Sequence, residues 1–230
     1  TMTPILIIGS SGLVGSRFVE LSHKHALNLL TPTHAELDIL NKKLLIKTII
    51  KHRPYVIINF STIIDIDKSE KDRVNRKSKI WQTNVTGISN IVTACKASSS
   101  FLIQVSTDAV FPGSEENPGP YPEDTHPSID GIEINWYGYT KAIAEEETKK
   151  LGLQSAIVRI SHPFGNLYSD KDLIIKTIHD IMAGHQIFTD QQFTPTFIDD
   201  AVRALWKIIE IQKSDIFHVA CQGLVSRWTF

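Results

Sequence analysis

A phenol and an ammonium group stand four residues apart in "NWYGYTK" (135–141), on Tyr137 and Lys141. On a helix that separation puts both side chains on one face, about 5 to 6 Å apart at Cβ, whereas Tyr139 is offset by two from Lys141 and points elsewhere. A phenol has an ordinary pKa near 10, and a neighbouring ammonium favours its ionised form, so the pair reads as an acid/base group for neutral pH. Tyr-x-x-x-Lys is also common on amphipathic helices, and its meaning depends on its surroundings. "QVSTDAVF" (104–111) supplies a second feature. There Ser106, Thr107 and Asp108 follow an apolar run, where a hydroxyl either meets a substrate carbonyl or closes a turn.

A third feature lies near the N-terminus. "GSSGLVG" sets Gly9, Gly12 and Gly15 directly after the apolar run "PILIIG" (4–9), at the opening of a helical pattern in Val14, Phe18 and Leu21. Gly9 would permit a tight turn, Gly12 a close approach of backbone to a pyrophosphate, and Gly15 close packing of helix on sheet. The helix N-terminus would then face the phosphates of a dinucleotide. The second apolar run ends "LLTPTH" with no carboxylate before Glu36, and Arg17 sits in the first helical turn, so NADP(H) is favoured and NAD(H) is the alternative. Asp38 in "ELDI" suits either an adenine amino group or a helix cap before Ile39 and Leu40.

The elements that must position these groups alternate between two periods. Short apolar runs at 4–9, 27–31, 55–60, 101–106 and 155–161 have the length and composition of strands buried on both faces. Between them lie helical patterns around residues 44–49, over 79–97 and from about Tyr137 to Leu151. The expected fold is α/β, a Rossmann-like doubly wound parallel sheet. The Pro/Gly-rich stretch 111–131 is too long for an ordinary connection and reads as a functional loop. Helices near 172–183 and over "FIDDAVRALWKIIEIQ", then a strand "IFHVA", complete the pattern, and Ser226 in "GLVSRWTF" reads as a helix N-cap.

Composition narrows the function classes. The 230 residues are 42% hydrophobic, enough for one large α/β domain, and carry 24 Lys plus Arg against 25 Asp plus Glu. That balance provides no field for nucleic acid or an anionic membrane. No apolar run approaches the roughly 20 residues of a membrane span, and the N-terminus lacks a signal-peptide pattern, so the expectation is a soluble, cytoplasmic chain. Cys95 and Cys221 have no metal-binding spacing and read as buried free thiols. The sequons at Asn59 and Asn84 fall in apparent core elements, which argues against glycosylation.

Taken jointly, the glycine-rich turn, the hydroxyl after the fourth strand and Tyr137/Lys141 resemble the extended short-chain dehydrogenase/reductase superfamily. The chain is more narrowly similar to the dTDP-4-dehydrorhamnose reductase family, through "GSSGLVG", "ELDI", "RPYVIINFSTIIDIDKSE", "TNVTGISNIV", "QVSTDAVFPG", "YGYTKAIAEE", "AIVRIS", "TDQQFTPTFIDDAVRAL" and "IFHVA". The resemblance implies a reductase of a nucleotide-activated 4-keto sugar, with Thr107, Tyr137 and Lys141 as catalytic triad. Lys141 would bind the nicotinamide ribose and hold down the phenol pKa. Gly9, Ser11, Gly12, Leu13, Val14, Arg17, Asp38, Ile39, Phe60, Ser61 and Asn84 would join Tyr137 and Lys141 around the cofactor. Asp67, Lys68, Asp108, His162 and Gln192 would face the substrate.

The resemblance also implies a cofactor-binding domain over 1–160, including a substrate-side loop at 111–136. Residues 161–197 would contribute a small substrate lobe, residues 198–220 would return to the sheet, and lobe-completing helices would follow beyond the present C-terminus. The partner is a small-molecule nucleotide sugar, with no nucleic acid or membrane and with room for a homodimer. Three departures from the family pattern stand out: His162 replaces a tryptophan usual in rhamnose-forming enzymes, "DQQFTPT" alters a loop near the substrate, and the chain stops early. The alternative function is a non-catalytic NADP-binding regulatory subunit similar to the methionine adenosyltransferase β subunit, and a nucleotide-sugar epimerase or dehydratase ranks lower. The intact Thr107, Tyr137 and Lys141 favour the enzyme.

Overall fold

The computed structural model describes residues 3–25, 27–129, 133–166, 169–187 and 189–230. β1 (Ile5–Ile8) is followed by α1 (Leu13–Ser22), β2 (Leu29–Leu30), α2 (Lys42–His52) and β3 (Val56–Asn59). Next come α3 (Ile66–Lys71), a helical segment made of α4 (Lys79–Trp81), a π turn (Gln82–Thr86) and α5 (Gly87–Ser98), and β4 (Phe101–Thr107). α6 (Trp136–Lys149) and β5 (Ser155–Ile160) complete the central pattern. Beyond it lie β6 (Pro163–Phe164), α7 (Leu173–Met182), β7 (Gln192–Phe193), β8 (Thr196–Phe197), α8 (Ile198–Ile211), β9 (Ile216–Val219) and β10 (Val225–Ser226).

Six strands form one parallel sheet in the order β2-β1-β3-β4-β5-β9. Alternation along each strand sends Leu6, Ile8, Ile57 and Leu102 to a core shared with α2 and α5. Ile5, Ile7, Val56, Ile58 and Ile103 face the opposite core, which holds Phe18 of α1 and Val202 and Leu205 of α8. Burial on both faces explains why these strands read as uninterrupted apolar runs. The chain leaves β1 for β2 on one side and returns to β3 on the other, so the topological switch lies between β1 and β3. Gly9 and Phe60 sit at the carboxyl ends of those two strands, where such sheets form a ligand crevice.

The helix expected over 79–97 is interrupted by the π turn, which carries Asn84. An i→i+5 turn of this kind re-aims a side chain that regular helix would direct elsewhere. The two small sheets, β6 with β8 and β7 with β10, stand apart from the main sheet. At the C-terminus, Ser226 Oγ accepts the Thr229 N–H at 3.2 Å and closes a turn, while Ser226 itself ends β10; the described residues after it form no helix for it to cap. Asn59 and Asn84 are buried, as the core reading of both sequons expected. Cys95 is buried in α5 as expected, whereas Cys221, just past β9, is only half-buried. Among the described residues no helix is long and apolar enough to cross a membrane.

Candidate active site

Asn135 starts α6 by accepting the Gly138 N–H at 2.7 Å through its side-chain oxygen. This cap sets the position of the first turn. Gly138 then allows the helix to press against the turn after β4, because a Cβ there would lie 2.0 Å from the Ala109 carbonyl oxygen. Tyr137 and Lys141 are thereby brought over the end of β4, and both are buried. Tyr139 lies on another face, its ring 4.8 Å from Trp136 and 6.4 Å from Trp81, which leaves it as packing.

Two hydroxyls and a carboxylate converge around the phenol. Thr62 and Thr107 act on the Tyr137 oxygen as hydrogen-bonding partners, and Asp108 adds negative charge nearby. Thr107 Oγ1 donates to Asp108 Oδ1 at 3.0 Å and accepts the Ala109 N–H at 3.2 Å. Burial raises the phenol pKa above its ordinary value and Asp108 raises it further, while the two threonines oppose them. The expectation that Lys141 draws this pKa toward neutrality is therefore corrected. Its Nζ donates to the Val105 carbonyl at 2.8 Å, and desolvation of the phenolate dominates at Tyr137. Burial also lowers the Lys141 pKa to about 8, against the opposing pull of Glu145.

Asn84 fastens this arrangement from the π turn. Its Oδ1 accepts the Ile63 N–H at 2.9 Å and the Thr62 hydroxyl at 3.3 Å. Its Nδ2 donates to Ile63 O and to Thr140 Oγ1, both at 3.1 Å. All four hydrogen-bonding positions of the amide are thus taken. Asn84, expected on the cofactor side, ties the segment after β3 to α6.

The glycine-rich turn has the shape of an anion cradle. Gly9 has φ +78°, and a Cβ there would lie 2.6 Å from the Ser61 nitrogen; one on Gly15 would lie 2.5 Å from Gly9 O. A Cβ on Gly12 would meet only Gly9 O, at 3.3 Å, so the approach above that residue is open. Gly12 opens α1 without a side-chain cap, leaving first-turn N–H groups for an incoming phosphate. Ser11 is exposed and Leu13 half-buried beside this opening. Ser61 closes the other wall, its hydroxyl bound to Asn59 Oδ1 at 2.6 Å, and Phe60 packs on Phe18 with ring centroids 5.9 Å apart.

Several expected cofactor residues are committed elsewhere. Arg17 forms a fork to Asp199 of α8, at 2.7 and 2.9 Å, so its guanidinium joins two helices instead of standing free for a ribose phosphate. Glu36 is likewise engaged, accepting the Thr33 N–H and hydroxyl, each at 2.8 Å. Asp38 Oδ1 accepts the Leu40 N–H at 2.9 Å, the capping role on a turn before α2. The side chains of Ile39 and Val14 are buried in the core, because the sheet and its helices offer them more apolar contact than any crevice.

On the substrate side, His162 and Asp108 do meet. His162 Nδ1 lies 3.7 Å from Asp108 Oδ2 and 3.1 Å from Ser161 Oγ, and Ser161 also donates to Asp108. Burial pushes the Asp108 pKa up, but His162, Ser161 and Thr107 together more than offset it, and the net direction is down. His162 has φ +43° and stacks on Phe193 at 4.1 Å. Gln192 is exposed, and strand alternation gives its neighbour Phe193 the place against His162. Asp67 and Lys68 are exposed on α3.

Sequence reasoning missed Thr62, Ser161 and a buried ion pair between Glu145 of α6 and Arg159 of β5, with Arg159 Nη2 2.7 Å from Glu145 Oε2. The available signal was a charge at Lys141 + 4 and an arginine inside an otherwise apolar strand.

Comparison with known proteins gives the family and the fold. The family model described as RmlD substrate binding domain matches residues 2–230. The chain is 26% identical over 230 residues to a dTDP-4-dehydrorhamnose reductase of Mycobacterium tuberculosis, covering 97% of this chain and 72% of that protein. It is similar to a crystal structure of a dTDP-4-dehydrorhamnose reductase from Clostridium acetobutylicum, with TM-score 0.84, 26% identity, and coverage of 97% and 76%. It also shares the fold of a Bacillus anthracis dTDP-4-dehydrorhamnose reductase solved in complex with NADP, with TM-score 0.83, 24% identity, and coverage of 98% and 77%.

Proposed function

The chain belongs to the RmlD substrate binding domain family, and from that membership we propose that it is an NADPH-dependent reductase of a nucleotide-activated 4-keto sugar. The observation that carries this reading is the convergence of Thr107, Tyr137 and Lys141 at the carboxyl end of β4, in the parallel sheet whose β1 ends at the glycine-rich turn. Gly9, Ser11, Gly12, Leu13 and Ser61 would hold the dinucleotide, with Lys141 at its ribose. When bound, NADPH supplies a hydride.

Tyr137 is the proton donor. Its raised pKa keeps the phenol protonated at neutral pH, the form a reduction consumes, and the proton passes from the phenol oxygen to the oxygen of the reduced carbonyl. The resulting phenolate is relieved by the Thr62 hydroxyl, which turns to it from the long contact with Asn84 Oδ1. Thr107 hydrogen-bonds the same substrate oxygen once its hydroxyl turns away from Asp108. Lys141, held on Val105 O, offers its remaining N–H groups to a ribose. His162, with Asp108 and Ser161 behind it, presents a polar ring to the sugar.

NADP(H) is preferred because the similar Bacillus anthracis reductase was solved in complex with NADP, while Arg17 and Glu36, both engaged elsewhere, select neither cofactor. The test is consumption of NADPH with a panel of 4-keto sugar nucleotides, for the chain and for Tyr137→Phe. Turnover lost in the variant supports the reading. NADPH binding without any turnover in either protein would replace it with the regulatory-subunit reading.

A further inference from the structure

Glu145 lies one turn beyond Lys141 on α6 and is fully buried. Its Oε1 accepts the Ser106 hydroxyl at 2.6 Å and Arg159 Nε at 3.0 Å, and its Oε2 accepts Arg159 Nη2 at 2.7 Å. Ser106 directly follows Val105, whose carbonyl takes the Lys141 ammonium. One carboxylate thus joins α6 to β4 and β5 just below the ammonium.

The other side of the Arg159 guanidinium reaches the long segment after β4. Nη1 donates to Glu123 O at 3.3 Å and lies 3.1 Å from His218 Nε2 of β9, while Cζ stands 4.8 Å over the Phe111 ring. Glu123 closes the loop by accepting the His218 N–H at 2.7 Å. A charge pair sealed from water is costly to bury and is weak grounds for added stability by itself. Its placement between Lys141 and the 111–125 segment gives it another use.

We propose that Glu145 and Arg159 act as positioning residues, Glu145 holding Lys141 in its charged, aligned state and Arg159 fastening the 111–125 segment as a wall of the site. This rests on the reading of Lys141 as the ligand of the cofactor ribose. The ionisable groups placed with the ammonium are Tyr137 and Glu145 on the same face of α6 and, through Glu145, Arg159 on β5. Glu145 is the one that raises the Lys141 pKa. Its loss would leave the Arg159 guanidinium buried without its carboxylate and remove the opposite charge that acts on the ammonium.

The two partners should therefore act on Lys141 in opposite directions. The 15N resonance of the Lys141 amine, assigned by its disappearance in Lys141→Arg, is titrated in the cofactor-free full chain. Glu145→Gln should lower the midpoint by about one unit or more, and Arg159→Gln, which frees the carboxylate from its guanidinium partner, should raise it. Amide exchange over 111–125 should accelerate at least tenfold in Arg159→Gln. If Arg159→Gln fails to fold, Arg159→Lys should keep the midpoint near that of the unaltered chain yet lose protection over 111–125. Midpoints that stay in place, or move together, would overturn the proposal. Because the titration needs neither substrate nor turnover, it stands or falls independently of the reductase reading.

Discussion

The two sides of the candidate site are built on opposite plans. Around Lys141 everything is buried and paired: Asn59 and Gln104 are register partners joined at 3.0 Å, Gln104 and Lys141 share the Val105 carbonyl, and Glu145 is locked to Arg159. Around His162 the groups remain accessible, the His162 and Asp108 side chains being 34% and 40% exposed, and the backbone takes a left-handed conformation. The first side rests on a six-stranded sheet and cannot adjust without leaving buried polar groups unpaired. The second rests on two-stranded pairs and aromatic contacts, such as Phe164 on Phe230 at 4.9 Å, which can be re-formed around a different ligand. A site divided in this way keeps its chemistry constant while its substrate preference is free to change.

The sharpest break of that contrast is Tyr137→Phe. It should lower kcat by about a hundredfold to ten-thousandfold, the range for a lost general acid, with NADPH affinity within twofold, as read by steady-state kinetics and titration. Gly138→Ala follows, because its methyl group would collide with backbone; a loss of ~3 kcal/mol in denaturant unfolding is expected, against ~1 kcal/mol for Gly184→Ser, where a Cβ meets no atom and only the left-handed φ of +75° adds strain.

Lys141→Met should abolish turnover and yet stabilise the fold at pH 7 by ~2 kcal/mol. The sign follows from the lowered pKa. Below about 8 the lysine is protonated both folded and unfolded, so the folded chain bears the full cost of the buried ammonium. Between about 8 and 10.5 only the unfolded chain holds the proton, and the cost fades as pH rises. Unfolding curves at pH 7 and 10 that differ equally from the unaltered chain would refute this account.

Smaller effects mark the accessible side and the helix staple. His162→Phe keeps the ring on Phe193 but removes a polar contact, so substrate KM should rise about tenfold with NADPH Kd unchanged, a split that an indirect structural effect would not produce. Arg17→Met should cost ~1 kcal/mol of stability through its lost fork to Asp199. Its ratio of NADPH to NADH affinity should stay within threefold; a tenfold fall would return Arg17 to the cofactor.

Periodicity and motif together made most of the fold legible. The buried runs, the glycine turn and the helix bearing Tyr137 and Lys141 were all readable because strand and helix spacing are local properties of the chain. The π turn was not, since "QTNVT" has no local signature and its geometry is stabilised by what Asn84 reaches at Ile63 and Thr140. Arg17 and Asp38 show the same limit from the other direction, as residue types suited to a ligand whose nearest partners turned out to be Asp199 and Leu40.

By itself, then, the sequence determined the strand and helix order, the left-handed glycine at the first turn and the shared helical face of Tyr137 and Lys141, because each depends on residues within a few positions of one another. Only the tertiary structure decided the protonation tendencies of that pair, the engagement of Arg17, and the Glu145–Arg159 pairing across α6 and β5. Those depend on burial and on charges brought together from distant parts of the chain, and desolvation is a property of the folded interior that no spacing along the sequence records.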